Sequence, residues 1–255
     1  MKQKIITGAI LAFTLGPALY LGGWVFLVVA AIFIALGSRE ISSIFEPKWP
    51  KWMTIVILAL IVGFYFTPSS YIFVAVMVLL FIVFGFTIFV DWFDVHEGAM
   101  LFILLIIVGL SVNGIFAVFE YGSLAILYVA VTTYMTDTMA YFVGIKFGKH
   151  KLAPSVSPKK TIEGAIGGWV FASLISLVYA NLLLVNKFDM SLLIIASLLM
   201  PVIAQLGDLS FSAIKRYYQI KDFGTIFPEH GGVLDRIDSL LFNFMFFFVL
   251  LTVMV

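Results

Sequence analysis

The chain has 255 residues and a net charge of +1; 63% of them are hydrophobic and 11% charged, against about 45–50% apolar and about 25% charged in a soluble domain. That balance excludes an ordinary soluble core, and the near-neutral charge excludes the basic footprint of a nucleic-acid binder. Cysteine is absent, which excludes disulfides, thiolate zinc sites and cysteine nucleophiles together.

Breaks in hydropathy predict an all-α, polytopic transmembrane bundle of about nine spans. In chain order they are 5 to 20, 23 to 38, 52 to 66, 71 to 90, 99 to 119, 122 to 145, 162 to 185, 190 to 212 and 237 to 255. Lys2 and Lys4 before the first apolar run imitate a signal peptide, but the further runs that follow favour an uncleaved first helix. With the N-terminus inside, fourteen of the fifteen Lys and Arg residues fall on the cytoplasmic side, Lys187 being the exception. That bias predicts a cytoplasmic N-terminus and an outer C-terminus. Residues 1 to 120 read as a scaffold with little intramembrane charge, and their cluster Asp91, Asp94 and Glu97 reads as solvated. Residues 121 to 255 carry carboxylates within or beside apolar helices, where they are costly and point to function.

Four segments of that second region could carry chemistry. In DTMAYFVGIKFGKHK, Asp137, Tyr141 and Gly144 repeat at i, i+4 and i+7, so Asp137 either orients a nucleotide or bonds a neighbouring helix. In SPKKTIEGAIGG, Ser157 is a candidate N-cap and Pro158 a first helical residue. A helix starting there would aim Lys159, Lys160, the Thr161 hydroxyl and free backbone N–H groups at a phosphate chain. Ordinary capping and positive-inside lysines explain the same residues, and Gly164, Gly167 and Gly168 read as close helix packing. In QLGDLSFSAIKR, Asp208, Ser212 and Lys215 form one polar stripe, suited to metal or phosphate but also to a buried ion pair without chemistry.

The fourth segment, KDFGTIFPEHGGVLDRID, is broken by Gly224, Pro228, Gly231 and Gly232, and such backbone is tolerated near a membrane where it lines a cavity. Asp235 and Asp238 follow at i and i+3. With Asp208 and Asp222 they supply four hard oxygen donors, which suit Mg²⁺ better than zinc. Basic phosphate binders beside such carboxylates suggest phosphoryl-type transfer to a lipid.

The run SAIKRYYQIKDFGTIFPEHGGVLDRID, Ser212 to Asp238, resembles the signature of the phosphatidate cytidylyltransferases, and DTxAYxxG, FGKHKLAP, SPKKTIEGxxGG and QLGDL upstream are similar to the same family. Two departures stand out: Glu229 where the family has Gly, and Phe211 where it has Glu. The resemblance implies transfer of a cytidylyl group from CTP to phosphatidic acid, with release of pyrophosphate. It implies Mg²⁺ on Asp208, Asp222, Asp235 and Asp238, with a monovalent cation such as K⁺ beside it. Asp137, Ser157, Lys159, Lys160, Thr161 and Ser212 would bind substrate. Lys215, Arg216, Lys221 and Arg236 would neutralise the attacking and leaving phosphates, and His230 would be a phosphate donor or a loop anchor. A homodimer in the cell membrane, with a cytoplasmic active site and no nucleic-acid partner, is the corresponding expectation. Two other functions fit parts of the pattern: a CTP-dependent lipid kinase, which would move the γ-phosphate, and an organic-anion transporter, which would call for repeated halves.

Overall fold

A computed structural model describes residues 17–18, 21–227 and 231–254. The first predicted span, 5 to 20, lies almost wholly outside the described residues, as do His230 and Glu229. The chain divides into two compact units, one of residues 1–113 with 221–237 and one of residues 114–220 with 238–255. The signature segment 221–237 thus belongs with the N-terminal helices.

The first unit contains α1 (Gly23–Ser43), α2 (Met53–Tyr65), a 3₁₀ turn at Ser69–Tyr71, α3 (Ile72–Phe89) and most of α4 (Val95–Glu120). α3 is apolar around its whole circumference. It buries only Leu79 and Val83, while Phe73, Phe81 and Phe89 are 74%, 70% and 84% exposed. An outward face of that kind is unstable in water and natural in lipid. Inside the unit, Phe64 fills the space over Gly109, where a Cβ would lie 2.5 Å from its ring. The Asn113 side-chain amide donates to the carbonyls of Phe64 and Thr67 at 2.8 and 2.9 Å, satisfying acceptors that the end of α2 leaves open. Asp94 accepts from the Glu97 N–H at 2.9 Å and so caps α4. Lys48 bridges both carboxylates, and the Trp49 indole donates to Glu97. The expectation of a merely solvated acidic cluster therefore fails for Glu97, which is paired and largely covered.

The second unit contains α5 (Ser123–Phe147), β1 (Lys151–Ala153), β2 (Ser157–Thr161), α6 (Ile162–Leu183), α7 (Met190–Tyr217) and most of α8 (Leu234–Met254). α5 and α6 meet along the glycine stripe: a Cβ on Gly167 would lie 2.6 Å from the Val143 side chain, and one on Gly168 would lie 2.8 Å from the Ala140 Cβ. This is the close packing that those glycines suggested. Thr132 bonds Ser176 across the same seam at 2.8 Å. α7 carries Pro201 in its interior, and the Tyr128 hydroxyl bonds Ser197, four residues before it, at 2.7 Å.

Among the described residues six helices are long and apolar enough to cross a membrane, and Met53–Tyr65 is a shorter apolar one. α5 is not among the six; Thr132, Thr133, Thr136 and Asp137 dilute its apolar character. The molecule is an all-α membrane protein to which the described residues add an antiparallel β1–β2 hairpin, which pairs Lys151 with Thr161 and Ala153 with Ser157. The hairpin corrects the expected helix start at Ser157. Residues 157–161 are extended, Thr161 (φ −125°, ψ 152°) is the N-cap, and its hydroxyl accepts from the Gly164 N–H. Both Ser157 and Thr161 are competent caps. Pairing with β1 and seating of Gly164 against the Ala140 carbonyl favour the later one.

Candidate active site

The second unit holds a cavity of about 600 Å³, within the range of small-molecule sites. Asp137, Tyr141 and Gly144 of α5 line it, as their shared stripe predicts, together with Lys159, Lys160 and Thr161 of the hairpin and Asp208 of α7. Ser157 and Ser212 do not line it. The hairpin brings both lysines to it, Lys159 exposed and Lys160 partly covered. Lys160 forms an ion pair with Asp208. Burial pushes the Lys160 ammonium below the ordinary lysine range, while Asp137 and Asp238 oppose that shift. Three carboxylates thus act on one ammonium.

Lys151 of β1 and Gln205 of α7 also line the cavity, and neither was singled out in the sequence. The Gln205 amide nitrogen donates to the carbonyls of Ala165 and Pro201, both at 3.2 Å. Its place one turn before Asp208 on the same helix was the available signal. Of the cationic residues on α7, Lys215 is buried, while Arg216 is exposed and reaches the carbonyls of Val156 and Ile220. Phe211 is fully buried and packs edge-on against Phe242.

In the first unit the signature segment is built around two carboxylates held by backbone. Asp235 Oδ2 accepts from the N–H groups of Phe223 and Gly232 at 2.7 and 2.9 Å. Glu40 of α1 accepts from Val233 and Leu234 at 2.7 and 2.8 Å. Gly231 has φ +79°, and a Cβ there would meet Asp235 at 2.6 Å and the Asp222 Cβ at 2.9 Å, so both acids abut this glycine. Lys221 and Asp222 are exposed. The Arg236 Nε is buried and has no hydrogen-bond partner among the described residues. Glu40 was missed in the sequence because the predicted span stopped at 38, whereas α1 runs to Ser43 and carries it inward, 3% exposed.

Among the described residues no three Asp, Glu or His side chains gather as a ready metal cage. Asp235 and Asp238 are each 8% exposed, and carboxylate oxygen is the hard donor type that Mg²⁺ takes.

The family model described as the cytidylyltransferase family matches residues 2–254. The phosphatidate cytidylyltransferase of Bacillus subtilis (strain 168) is 32% identical, across 98% of this chain and 97% of its own. Those of Staphylococcus haemolyticus (strain JCSC1435) and Staphylococcus aureus (strain COL) are 31% and 33% identical, each across 95% of both chains. The chain belongs to the cytidylyltransferase family. As a cytidylyltransferase it is an enzyme of the nucleotidyltransferase class, and the Phe211 departure is absorbed in its core by Phe242 rather than left in the cavity.

Proposed function

We propose that this enzyme transfers the cytidylyl group of CTP to phosphatidic acid, giving CDP-diacylglycerol and pyrophosphate for phospholipid synthesis. The observation that carries the reading is the cavity in which Lys159 and Lys160 face Asp137 and Asp208, in a chain that matches relatives named phosphatidate cytidylyltransferase over nearly its whole length. A phosphatidate oxygen attacks the α-phosphorus of CTP, a new P–O bond forms, and the bond to the β-phosphate oxygen breaks with its electron pair leaving on pyrophosphate. Lys159, Lys160 and Thr161 bind the triphosphate; the Thr161 hydroxyl oxygen accepts from the Gly164 N–H as a helix cap, which leaves its O–H to donate. Lys215, Arg216, Lys221 and Arg236 neutralise the attacking and leaving phosphates. Asp208, Asp222, Asp235 and Asp238 would hold divalent metal, with a monovalent cation beside it. Bound Mg²⁺ supplies charge stabilisation of phosphate oxygens.

The charge asymmetry of the loops supports about nine spans with a cytoplasmic N-terminus and active site, and the proposed residence is the cell membrane. A homodimer completes the proposal. Purified protein with CTP, phosphatidic acid and Mg²⁺ provides the test: label on the α-phosphate should enter lipid and label on the γ-phosphate should not. Entry of the γ-label would instead identify a lipid kinase, and chelation of Mg²⁺ should abolish turnover.

A further inference from the structure

α8 begins at Leu234, and the residue before it, Val233, has no side-chain group that can accept a hydrogen bond. The first N–H groups of the helix therefore need an acceptor from elsewhere. Glu40, 193 positions earlier, provides it: Oε1 takes the Val233 N–H at 2.7 Å and Oε2 the Leu234 N–H at 2.8 Å. The carboxylate is enclosed by the signature segment itself. A Cβ on Gly224 would lie 2.6 Å from Glu40 Oε1, and one on Gly232 would lie 2.2 Å from it, so both glycines are positions where backbone must approach a carboxylate closely. The end of α1 grips the same segment a second time, through the Ser43 hydroxyl, which donates to the Phe223 carbonyl at 3.4 Å. The Phe223 and Gly232 N–H groups, on either side of this contact, are the two that hold Asp235.

We propose that Glu40 is a positioning residue of the cytidylyl-transfer site: by capping α8 from a distant helix it sets the orientation of the Asp235 carboxylate. The proposal rests on the functional reading above. Glu40 does not touch the reacting atoms. It acts through the start of α8, where its negative charge also complements the positive end of the helix dipole. Glu40→Gln keeps shape and one acceptor oxygen, but gives up the charge and turns an NH₂ toward one of the two backbone N–H groups.

The test compares wild type and Glu40→Gln in detergent by three measurements. Without Mg²⁺ or nucleotide, amide exchange within residues 231–235 should accelerate at least about tenfold while the rest of the chain keeps its protection. With substrates, kcat should fall by about tenfold or more and the Mg²⁺ concentration for half-maximal rate should rise, the pattern of a group that orients a ligand. The KM for CTP should change less than about twofold, because uniform CTP binding is not what the change removes. A variant with wild-type kcat and Mg²⁺ dependence would overturn the proposal. So would exchange accelerating evenly along all helices with activity tracking the folded fraction, which is the signature of a plain structural strut. If wild type itself failed to transfer the cytidylyl group, the functional reading would fall as well, whereas a neutral Glu40→Gln in an active enzyme overturns this inference alone.

Discussion

The carboxylates of the two units are held by different kinds of partner. In the second unit Asp208 is balanced by the Lys160 ammonium, a point charge on a flexible four-carbon stem that can exchange one anion for another. In the first unit Asp235 and Glu40 are held by four backbone N–H groups, donors fixed by the chain path itself. On the proposed reading, a lysine that leaves Asp208 for an incoming phosphate would free that carboxylate as the nucleotide arrives. Backbone donors keep Asp235 in one orientation throughout. The contrast sets an adaptable half, whose charge partner can be exchanged, against a rigid half, whose carboxylates are fixed by backbone donors.

Loss of charge in the rigid half should have the largest effect. Asp235→Asn keeps an acceptor for the Phe223 and Gly232 N–H groups, so folding and membrane insertion should survive while turnover drops at least about a hundredfold, several kcal/mol of lost stabilisation. Thermal stability in detergent, measured beside Mg²⁺-dependent turnover, checks this; a stable Asp235→Asn enzyme of near wild-type rate would remove the residue from the site. In the adaptable half, Lys160→Ala should lower kcat/KM for CTP about tenfold to a hundredfold through loss of charge-assisted contacts worth about 1.5–3 kcal/mol. An unchanged kcat/KM would return Lys160 to a purely topological role.

Smaller effects sharpen the same contrast. Gly167→Ala drives a methyl into Val143, at 2.6 Å, and should cost about 1–3 kcal/mol of stability with kcat/KM for CTP per folded molecule preserved; a lower melting temperature alone is the expected readout. The smallest concerns pH. Because burial favours the neutral amine of Lys160, its ammonium is lost at lower pH than an ordinary lysine, so CTP use should decline as pH rises through that depressed value. Lys160→Arg, which stays protonated, should move the alkaline limb upward, and identical limbs in the two proteins would show that Lys160 does not govern it.

Much of this was legible before any coordinates. The run 71 to 90 predicts α3 within a residue at each end (Ile72–Phe89), since an unbroken apolar stretch between Pro68 and Asp91 has one low-energy form in lipid. Asp137, Tyr141 and Gly144 share a face by helical periodicity alone, and all three line the cavity. The predicted span 162 to 185 begins where α6 begins, but its cap is Thr161 and not Ser157: local cap chemistry permits both, and the strand partner that decides between them lies in β1, outside the window in which caps are read.

By itself the sequence determined the class of molecule, the approximate position of its described helices, the carboxylate-rich segments and, through the 212–238 signature, the family. These are properties of composition, of periodicity and of residues close together along the chain. Only the tertiary structure decided that Lys160 pairs with Asp208 and that Glu40 caps α8. Each contact joins residues far apart in sequence. Val233 at the helix start gives no hint of a cap, and the glycines that admit Glu40 read locally as no more than helix breakers. Their need for space comes from a carboxylate delivered by another helix, and only the folded chain brings the two together.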